Sequence, residues 1–274
     1  MQIDYYGKNL TCLKNKKLFL FDMDGTIYME NKPFQNVIEL MDEITKIGGK
    51  YVFITNNSSK SVDDYIIKLS RMGIKCTDEN FFTSTMASSI LFHDRFEGQL
   101  IYVQGTNSFK KELIKLGHNI TDEFNESAKA ILVAFDSEIT GQKMRTTSKM
   151  LTFLDVPYYA TNPDWVCPVE FGYVPDCGSM CFGYEKATGK KPIFIGKPNP
   201  MMINFAMRKF GYSVDDTLVI GDRIYTDIMS GYNAGVDTVL VISGEATLDD
   251  CNKSDIKPSF VLNGVSELYK VLIR

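Results

Sequence analysis

Four short apolar runs in this chain end in the same way. LFLF at 18–21 stops at Asp22-Met23-Asp24-Gly25-Thr26, and YVFI at 51–54 at Thr55-Asn56-Asn57-Ser58. IFI at 193–195 stops at Gly196-Lys197-Pro198, and LVI at 218–220 at Gly221-Asp222-Arg223. Short apolar runs bounded by turn formers read as strands buried on both faces, the kind that build parallel sheets. In an open parallel sheet, ligands bind outside the carboxyl ends of the strands. All four polar signatures fall at that end, whereas chance would scatter them over both.

The rest of the chain supports an α/β fold. Strands at 17–21, 51–54 and 81–83 alternate with helical spacing at 37–47 and 65–72, the latter with Ser61 as N-cap and Asp64 three residues on. A second series follows: strands at 100–103, 130–135 and 157–160, helices at 109–116, 141–154 and 179–188, and a loop rich in Pro, Gly and aromatics over 162–178. The first series then resumes with strands at 193–195, 218–220, 238–242 and 260–262. Its helices open at Asn199-Pro200, run over 226–233 to a stop at Gly235, and close the chain at 265–272. Without internal repeats or a linker-like stretch, this pattern favours one domain inserted into another.

Composition excludes several function classes. The 274 residues are 44% hydrophobic and 23% charged, ordinary for a globular chain with a real core. Thirty basic against 34 acidic residues leave a net charge of −4, so no global positive field draws in nucleic acid or anionic membrane. The longest apolar runs, such as 130–135, fall far short of the ~20 residues of a spanning helix. The N-terminus has no long apolar segment of the secretory kind, and a cytoplasmic protein is expected. Six scattered cysteines without a CxxC pair, and only two histidines, point to reduced thiols rather than disulfides or zinc.

The polar signatures carry the chemistry. Asp22 and Asp24, two residues apart after a buried strand, repel each other unless a cation lies between them or one is protonated; the alternative is a solvated turn. Gly25 lets the chain turn sharply there. Asp222 is a third carboxylate at a strand end, and with Asp22 offers the hard oxygen ligands that suit Mg²⁺. Asp227 is either an acidic residue favoured by a helix N-terminus or an anchor behind that metal. Thr55 offers a hydroxyl to an anion, or else caps and packs. Lys197, fixed between Gly196 and Pro198, balances the carboxylates; opposite unit charges about 4 Å apart attract by roughly 4 kcal/mol at an effective dielectric of 20. Residues 183–190 only superficially match a phosphate-binding P-loop, because the glycine spacing is one residue too long and Lys191 stands where Ser or Thr is needed. No GxGxxG follows a strand, so a dinucleotide is not indicated, and His93 and His118 read as surface or packing residues.

In this order, FLFDMDGTIY, FITNNSS, GKPNP and GDRIYTDI resemble the four motifs of the haloacid dehalogenase-like (HAD) hydrolase superfamily. TNPDWVCPVEFGYVPDCGSM further resembles the NagD-like, p-nitrophenylphosphatase branch. The resemblance implies a three-layer Rossmannoid core over residues 1–83 and 191–274 with a C2-type α/β cap inserted at 84–190. It implies Asp22 as a nucleophile forming an aspartyl-phosphate and Asp24 as general acid, then base. It further implies Thr55 and the backbone of Asn56 and Asn57 as phosphate binders, with Lys197 neutralising charge. Mg²⁺ would be held by Asp22, the Asp24 carbonyl and Asp222, with Asp227 behind.

The expected activity is hydrolysis of small phosphomonoesters: sugar phosphates, nucleoside monophosphates or similar metabolites. A phosphotransferase using the same residues and a non-catalytic metabolite-binding protein are the alternatives, and Asp24 argues against the last. Asn162, Asp164, Trp165, Cys167 and Glu170 of the cap are expected to choose the substrate. The sequence departs from the branch at Asp176-Cys177, where Pro-Gly is common, and at Cys167, where some relatives carry His. Small phosphorylated metabolites are the expected partners; the branch allows a homodimer, and no interface stripe marks one.

Overall fold

The computed structural model describes residues 2–58 and 61–273. The chain divides into two compact units. One, the core, comprises Met1–Thr55, Val62–Phe82 and Lys197–Arg274; the other comprises Asn56–Ser61 and Thr83–Gly196.

The core is built on a six-stranded sheet in the order Phe260–Leu262, Asp237–Val241, Thr217–Gly221, Leu18–Phe21, Lys50–Thr55, Phe81–Thr83. Leu18–Phe21 is buried throughout and pairs in parallel on both sides, Phe21 opposite Ile220 and Phe53. Its neighbours extend the parallel ladder through Asp237–Val241 to Phe260–Leu262. Alternate residues feed opposite faces. Phe19, Phe21, Val239, Val241 and Leu262 join one apolar cluster, while Leu240 and Val261 join a second with Ile224, Ile228 and Cys251. On the first face, helix Val37–Lys46 buries Val37, Leu40, Met41 and Ile44, the spacing of a single helical stripe. It packs against helix Val265–Leu272, which buries Val265, Leu268, Val271 and Leu272. Each such side chain contributes about 1.5–3 kcal/mol on leaving water. From Leu18–Phe21 the chain builds outward to one edge, then returns to build the other. The strand order therefore reverses between Leu18–Phe21 and Thr217–Gly221, which opens a crevice at their carboxyl ends.

The second unit has a five-stranded parallel sheet, ordered Ile193–Phe194, Tyr158–Ala160, Ala130–Val133, Ile101–Gln104, Ile120–Thr121. Side chains cap its helices: Thr83 accepts from Met86 N, Thr106 from Phe109 N and Thr140 from Lys143 N. Such caps typically stabilise a helix by about 1 kcal/mol.

Several elements differ from the sequence reading. The strand at Ile193–Phe194 pairs with Tyr158–Ala160, so the inserted unit reaches Gly196 instead of ending at 190, and the core resumes only at Lys197. The stretch 162–178 is not a plain loop, because Val166–Val169 and Gly172–Pro175 form an antiparallel hairpin. Pro168 and Pro175 had masked it, since proline cannot donate to a ladder and weakens any strand signal. Helix Ser84–Phe96 has a blurred apolar stripe: its buried face mixes Ala87, Leu91 and Phe92 with Ser84, Thr85 and Ser88. Their burial is tolerated where the hydroxyls are bonded, as Ser84 Oγ is to Asn56 O (2.8 Å) and Ser88 Oγ to Ser84 O (2.7 Å). The helix expected at 226–233 starts earlier, as a π turn over Ile224–Ile228 that runs into Met229–Ala234. The six cysteines form no disulfide, and no helix among the described residues is long and apolar enough to cross a membrane.

Candidate active site

Asp22 and Asp222 follow the two strands that flank the core's reversal, so the fold delivers both carboxylates to one crevice. Asp22 N donates to Ile220 O (2.8 Å) and carries the ladder one residue past the strand. Asp227 arrives by a local device. The π turn at Ile224–Ile228 is wider than an α turn, a feature frequent at functional sites, and places Asp227 against the end of strand Thr217–Gly221. Gly221 is required for that approach, because a Cβ there would strike the Asp227 side chain. Carboxylate oxygens of Asp22, Asp222 and Asp227 lie within 4.8 Å of one another.

Lys197 stands among them. Its Nζ donates to Asp22 Oδ1 and Asp227 Oδ1, each at 2.6 Å, and to Ile54 O at 3.4 Å. At 3% exposure, burial works against its charge; Asp22 and Asp227 overcome that and raise its pKa above the ordinary lysine value. The carboxylates bear the opposite strain. Asp222 is pushed up to about 6 by burial and then by Asp22, against the hydrogen bond from Glu245 N. Asp227 is raised by burial and by Asp22, with Lys197 opposing. Three carboxylates cluster here, and Lys197 pairs with two of them. The imbalance and the hard oxygen donors fit a divalent cation.

Glycines and backbone amides hold Asp222. Its Oδ2 accepts from Glu245 N at 2.8 Å and its Oδ1 from Thr26 Oγ1 at 3.3 Å. Gly25 has φ +82, a conformation glycine adopts without strain, and a Cβ at Gly25 or Gly244 would run into Asp222 Oδ2. Ser243 Oγ donates to Gly25 O at 2.8 Å, which ties the loop after Asp237–Val241 to the turn after Leu18–Phe21. Gly244 and Glu245 escaped the sequence reading. The signal was present as a fifth polar cluster at a strand's carboxyl end, Ser243-Gly244-Glu245.

Asp24 does not join the acidic cluster. Its side chain is 66% exposed, with Oδ2 accepting from Tyr28 OH (2.9 Å) and Oδ1 facing Lys68 Nζ at 3.5 Å. Tyr28 and Lys68 were also missed; Lys68 has no local signal, being 44 residues from Asp24. Thr55 ends strand Lys50–Thr55 and is buried. Asn56 and Asn57 fall in the second unit, where Asn56 Nδ2 donates to Asp164 Oδ2 at 3.0 Å. Ser59, the last serine of FITNNSS, lies outside the described residues.

The expected cap residues occupy different settings within the second unit. Asn162 is buried, and its Nδ2 donates to Asp164 Oδ2 (2.9 Å) and Asp176 Oδ1 (3.1 Å). Trp165 is exposed, its ring edge-on to Phe182 at 5.5 Å. Cys167 pairs across the hairpin with Val174, and both pack on the unit's apolar cluster. Glu170 is exposed at the hairpin turn.

Known proteins match this arrangement. The haloacid dehalogenase-like hydrolase model covers residues 19–119, and a second HAD-hydrolase-like model covers residues 194–268. The chain is 31% identical to ribonucleotide monophosphatase NagD of Escherichia coli K12 over 252 residues, spanning 92% of this chain and 98% of that one. It is 28% identical to an acid sugar phosphatase of Staphylococcus saprophyticus, over 95% of this chain and 99% of that one. The crystal structure of a 4-nitrophenylphosphatase from Thermotoga maritima superposes with a TM-score of 0.89 at 34% identity, over 95% of this chain and 99% of that one. The chain belongs to the haloacid dehalogenase-like hydrolases. Its place within them is the NagD-like branch, and the inserted unit is the cap.

Proposed function

We propose that this protein is a Mg²⁺-dependent cytoplasmic phosphatase that hydrolyses small phosphomonoesters through an aspartyl-phosphate on Asp22. The observation that carries the reading is the Asp22–Lys197–Asp227 arrangement at the core's strand reversal, with Asp222 beside it. Asp22 attacks phosphorus; its O–P bond forms as the ester P–O bond breaks, and Asp24 gives its proton to the departing oxygen. A water then attacks the phosphorus of the aspartyl-phosphate, Asp24 takes the water's proton, and Asp22 is released with inorganic phosphate. Two displacements replace one difficult hydrolysis. Lys197 keeps its proton and offsets charge on the phosphoryl group, and Thr55 with the backbone of Asn56 and Asn57 binds its oxygens. Asp22, the Asp24 carbonyl and Asp222 would hold Mg²⁺, with Asp227 behind them. When bound, the ion supplies positive charge against the phosphoryl oxygens.

The named relatives act on ribonucleotides, sugar phosphates and 4-nitrophenyl phosphate. We carry over their shared chemistry, a phosphomonoester of a compact metabolite. Asn162, Asp164, Trp165, Cys167 and Glu170 of the cap choose among such substrates. Replacing Trp165 or Glu170 is expected to change the ratio of kcat/KM between a nucleoside monophosphate and a sugar phosphate more than it changes Mg²⁺ dependence.

Phosphate release from 4-nitrophenyl phosphate and a metabolite panel, with Mg²⁺ or with chelator, tests the reading. Activity is expected only with the metal, and Asp22→Asn is expected to lower it on the order of 10³-fold or more. Turnover that survives in Asp22→Asn removes the aspartyl-phosphate, and failure across the whole panel removes the phosphatase reading.

A further inference from the structure

The acid of the reaction above stands apart from the charge cluster it serves. Asp24 is largely exposed on a turn, where a carboxylate would ordinarily sample several rotamers. Two groups from different elements restrain it. The turn folds back on itself, with Gly25 N donating to Tyr28 O at 2.8 Å and Ile27 N to Met23 O at 2.9 Å, which brings Tyr28 over Asp24. Tyr28 is itself fixed, being fully buried and paired with Pro33 in a two-residue hairpin. Its hydroxyl donates to Asp24 Oδ2 at 2.9 Å.

The second group is Lys68, in the last turn of helix Val62–Arg71. Tyr65 and Leu69 of that helix are buried, and Tyr65 stacks on Phe81 with ring centroids 6.0 Å apart, so the helix is pinned to the core. Lys68 Nζ lies 3.5 Å from Asp24 Oδ1 and 4.0 Å from the centroid of the Tyr28 ring. Phenol and ammonium thus approach different oxygens of the carboxylate, and the ammonium rests on the phenol ring by a cation–π contact. Lys197, meanwhile, is engaged with Asp22 and Asp227.

We propose that Tyr28 and Lys68 are positioning residues that orient the Asp24 carboxyl for proton transfer to the leaving oxygen, an inference that rests on Asp24 as general acid. A positioned acid matters most where the leaving group needs a proton. An alkoxide does; p-nitrophenolate departs as a stable anion. A merely structural Lys68–Tyr28 contact would lower turnover of both substrate kinds alike.

The test compares kcat/KM for an alkyl phosphate, glycerol phosphate, with that for 4-nitrophenyl phosphate. The parameter covers steps only through the first phosphoryl transfer. In Lys68→Met and in Tyr28→Phe, the loss on the alkyl ester is expected to exceed the loss on the aryl ester about tenfold, a part of what a general acid supplies. Lys68→Arg is expected to restore part of the difference. Thermal melts confirm that each variant is folded; Tyr28→Phe keeps the buried ring, and Lys68→Met keeps an unbranched side chain at a partly exposed position. Equal losses on both esters, or no loss, overturn the proposal. Asp24→Asn run beside them separates the two levels. If it shows the leaving-group dependence and the other two variants do not, only the positioning role falls. If Asp24→Asn lacks it too, the general-acid assignment falls first.

Discussion

In the core the strand order reverses between Leu18–Phe21 and Thr217–Gly221; in the cap it reverses between Ile101–Gln104 and Ala130–Val133. Both reversals open at the carboxyl ends of parallel strands, where such sheets bind ligands. At the cap's reversal, Asp136 is fully buried and meets Lys143 Nζ at 2.9 and 3.1 Å, while the same ammonium donates to Gly105 O at 3.2 Å. Asp136 Oδ1 also accepts from Glu138 N, and Glu138 Oε2 accepts from Asn107 N at the start of helix Asn107–Lys115. Gln104 Oε1 accepts from Thr147 Oγ1 and Tyr184 OH. One carboxylate faces one ammonium, and the neighbouring polar groups close on each other. At the core's reversal three carboxylates cluster and Lys197 pairs with two of them, while glycines at 25, 221 and 244 let backbone press against Asp222 and Asp227. Topology provides the crevice twice. Of the two reversals, only the core's leaves its charges unbalanced, and that imbalance gives an ion or an anion something to complete.

Short of removing Asp22 itself, the largest effect comes from disturbing how the core holds its surplus carboxylate. Gly244→Ala adds a Cβ that would collide with Asp222 Oδ2 and Cγ, and Asp222 must move. Loss of an outer partner of a ligating carboxylate typically costs 10–100-fold in metal affinity or activity. A drop of about 10²-fold in kcat/KM is expected, with a higher Mg²⁺ concentration for half-maximal rate, both read from a metal titration of initial rates. A variant with unchanged Mg²⁺ dependence would mean that the glycine serves only the loop.

How much of this was legible in advance follows from the range of each interaction. The strand-end clusters at Asp22, Thr55 and Asp222 were readable because burial of a strand and the polarity of its end are local properties of sequence. Lys197 follows a strand of the cap's sheet, so the strand-end argument did not itself place it among the core's carboxylates. Asp227 was ambiguous, since an acidic residue early in a helix has a sufficient local reason to be there. The structure adds Lys197 Nζ at 2.6 Å and the Gly221 contact. Lys68 was invisible because its partner Asp24 is 44 residues away and joined to it only by packing of helix Val62–Arg71. Helix Ser84–Phe96 was hidden for another reason: its buried face mixes Ser84, Thr85 and Ser88 with Ala87, Leu91 and Phe92, which blurs the apolar period.

Breaking the cap's balance gives a smaller effect of another kind. Asp136→Asn leaves Lys143 without its anion, although Lys143 is partly exposed and water can reach it. Hydrogen bonds to charged groups contribute about 1.5–3 kcal/mol, so a stability loss of about 2 kcal/mol is expected. Urea unfolding followed by circular dichroism measures it. The folded variant is expected to keep its kcat/KM within about twofold, because the pair takes no part in the proposed chemistry. A hundredfold loss of kcat/KM without unfolding would give the cap's reversal a functional role and dissolve the contrast with the core.

One cap carboxylate departs from that balance and sharpens the comparison further. Asp176 is buried at the start of helix Cys177–Thr188, bonded by Cys177 N and by Asn162 Nδ2, and Asp164 is the charged group that faces it. Burial and then Asp164 push it up to about 6 from 3.8, with the hydrogen bonds from Cys177 and Asn162 opposing. Between these two values the folded chain binds more protons at this site than the unfolded chain. Its contribution to stability is therefore present at acid pH and is lost as pH rises through about 6. The expected loss from this group is about 1 kcal/mol between roughly pH 5 and pH 7. Asp222 and Asp227 are shifted in the same direction in the core, so the wild-type profile alone mixes the two units. The difference between wild type and Asp176→Asn isolates the cap's share, because the amide oxygen still accepts from Cys177 N while the titration is removed. Wild-type stability is expected to fall relative to the variant across that interval, in urea unfolding at fixed ionic strength. Parallel profiles would mean that Asp176 titrates in the ordinary carboxylate range, and that the cap, unlike the core, holds no carboxylate out of balance.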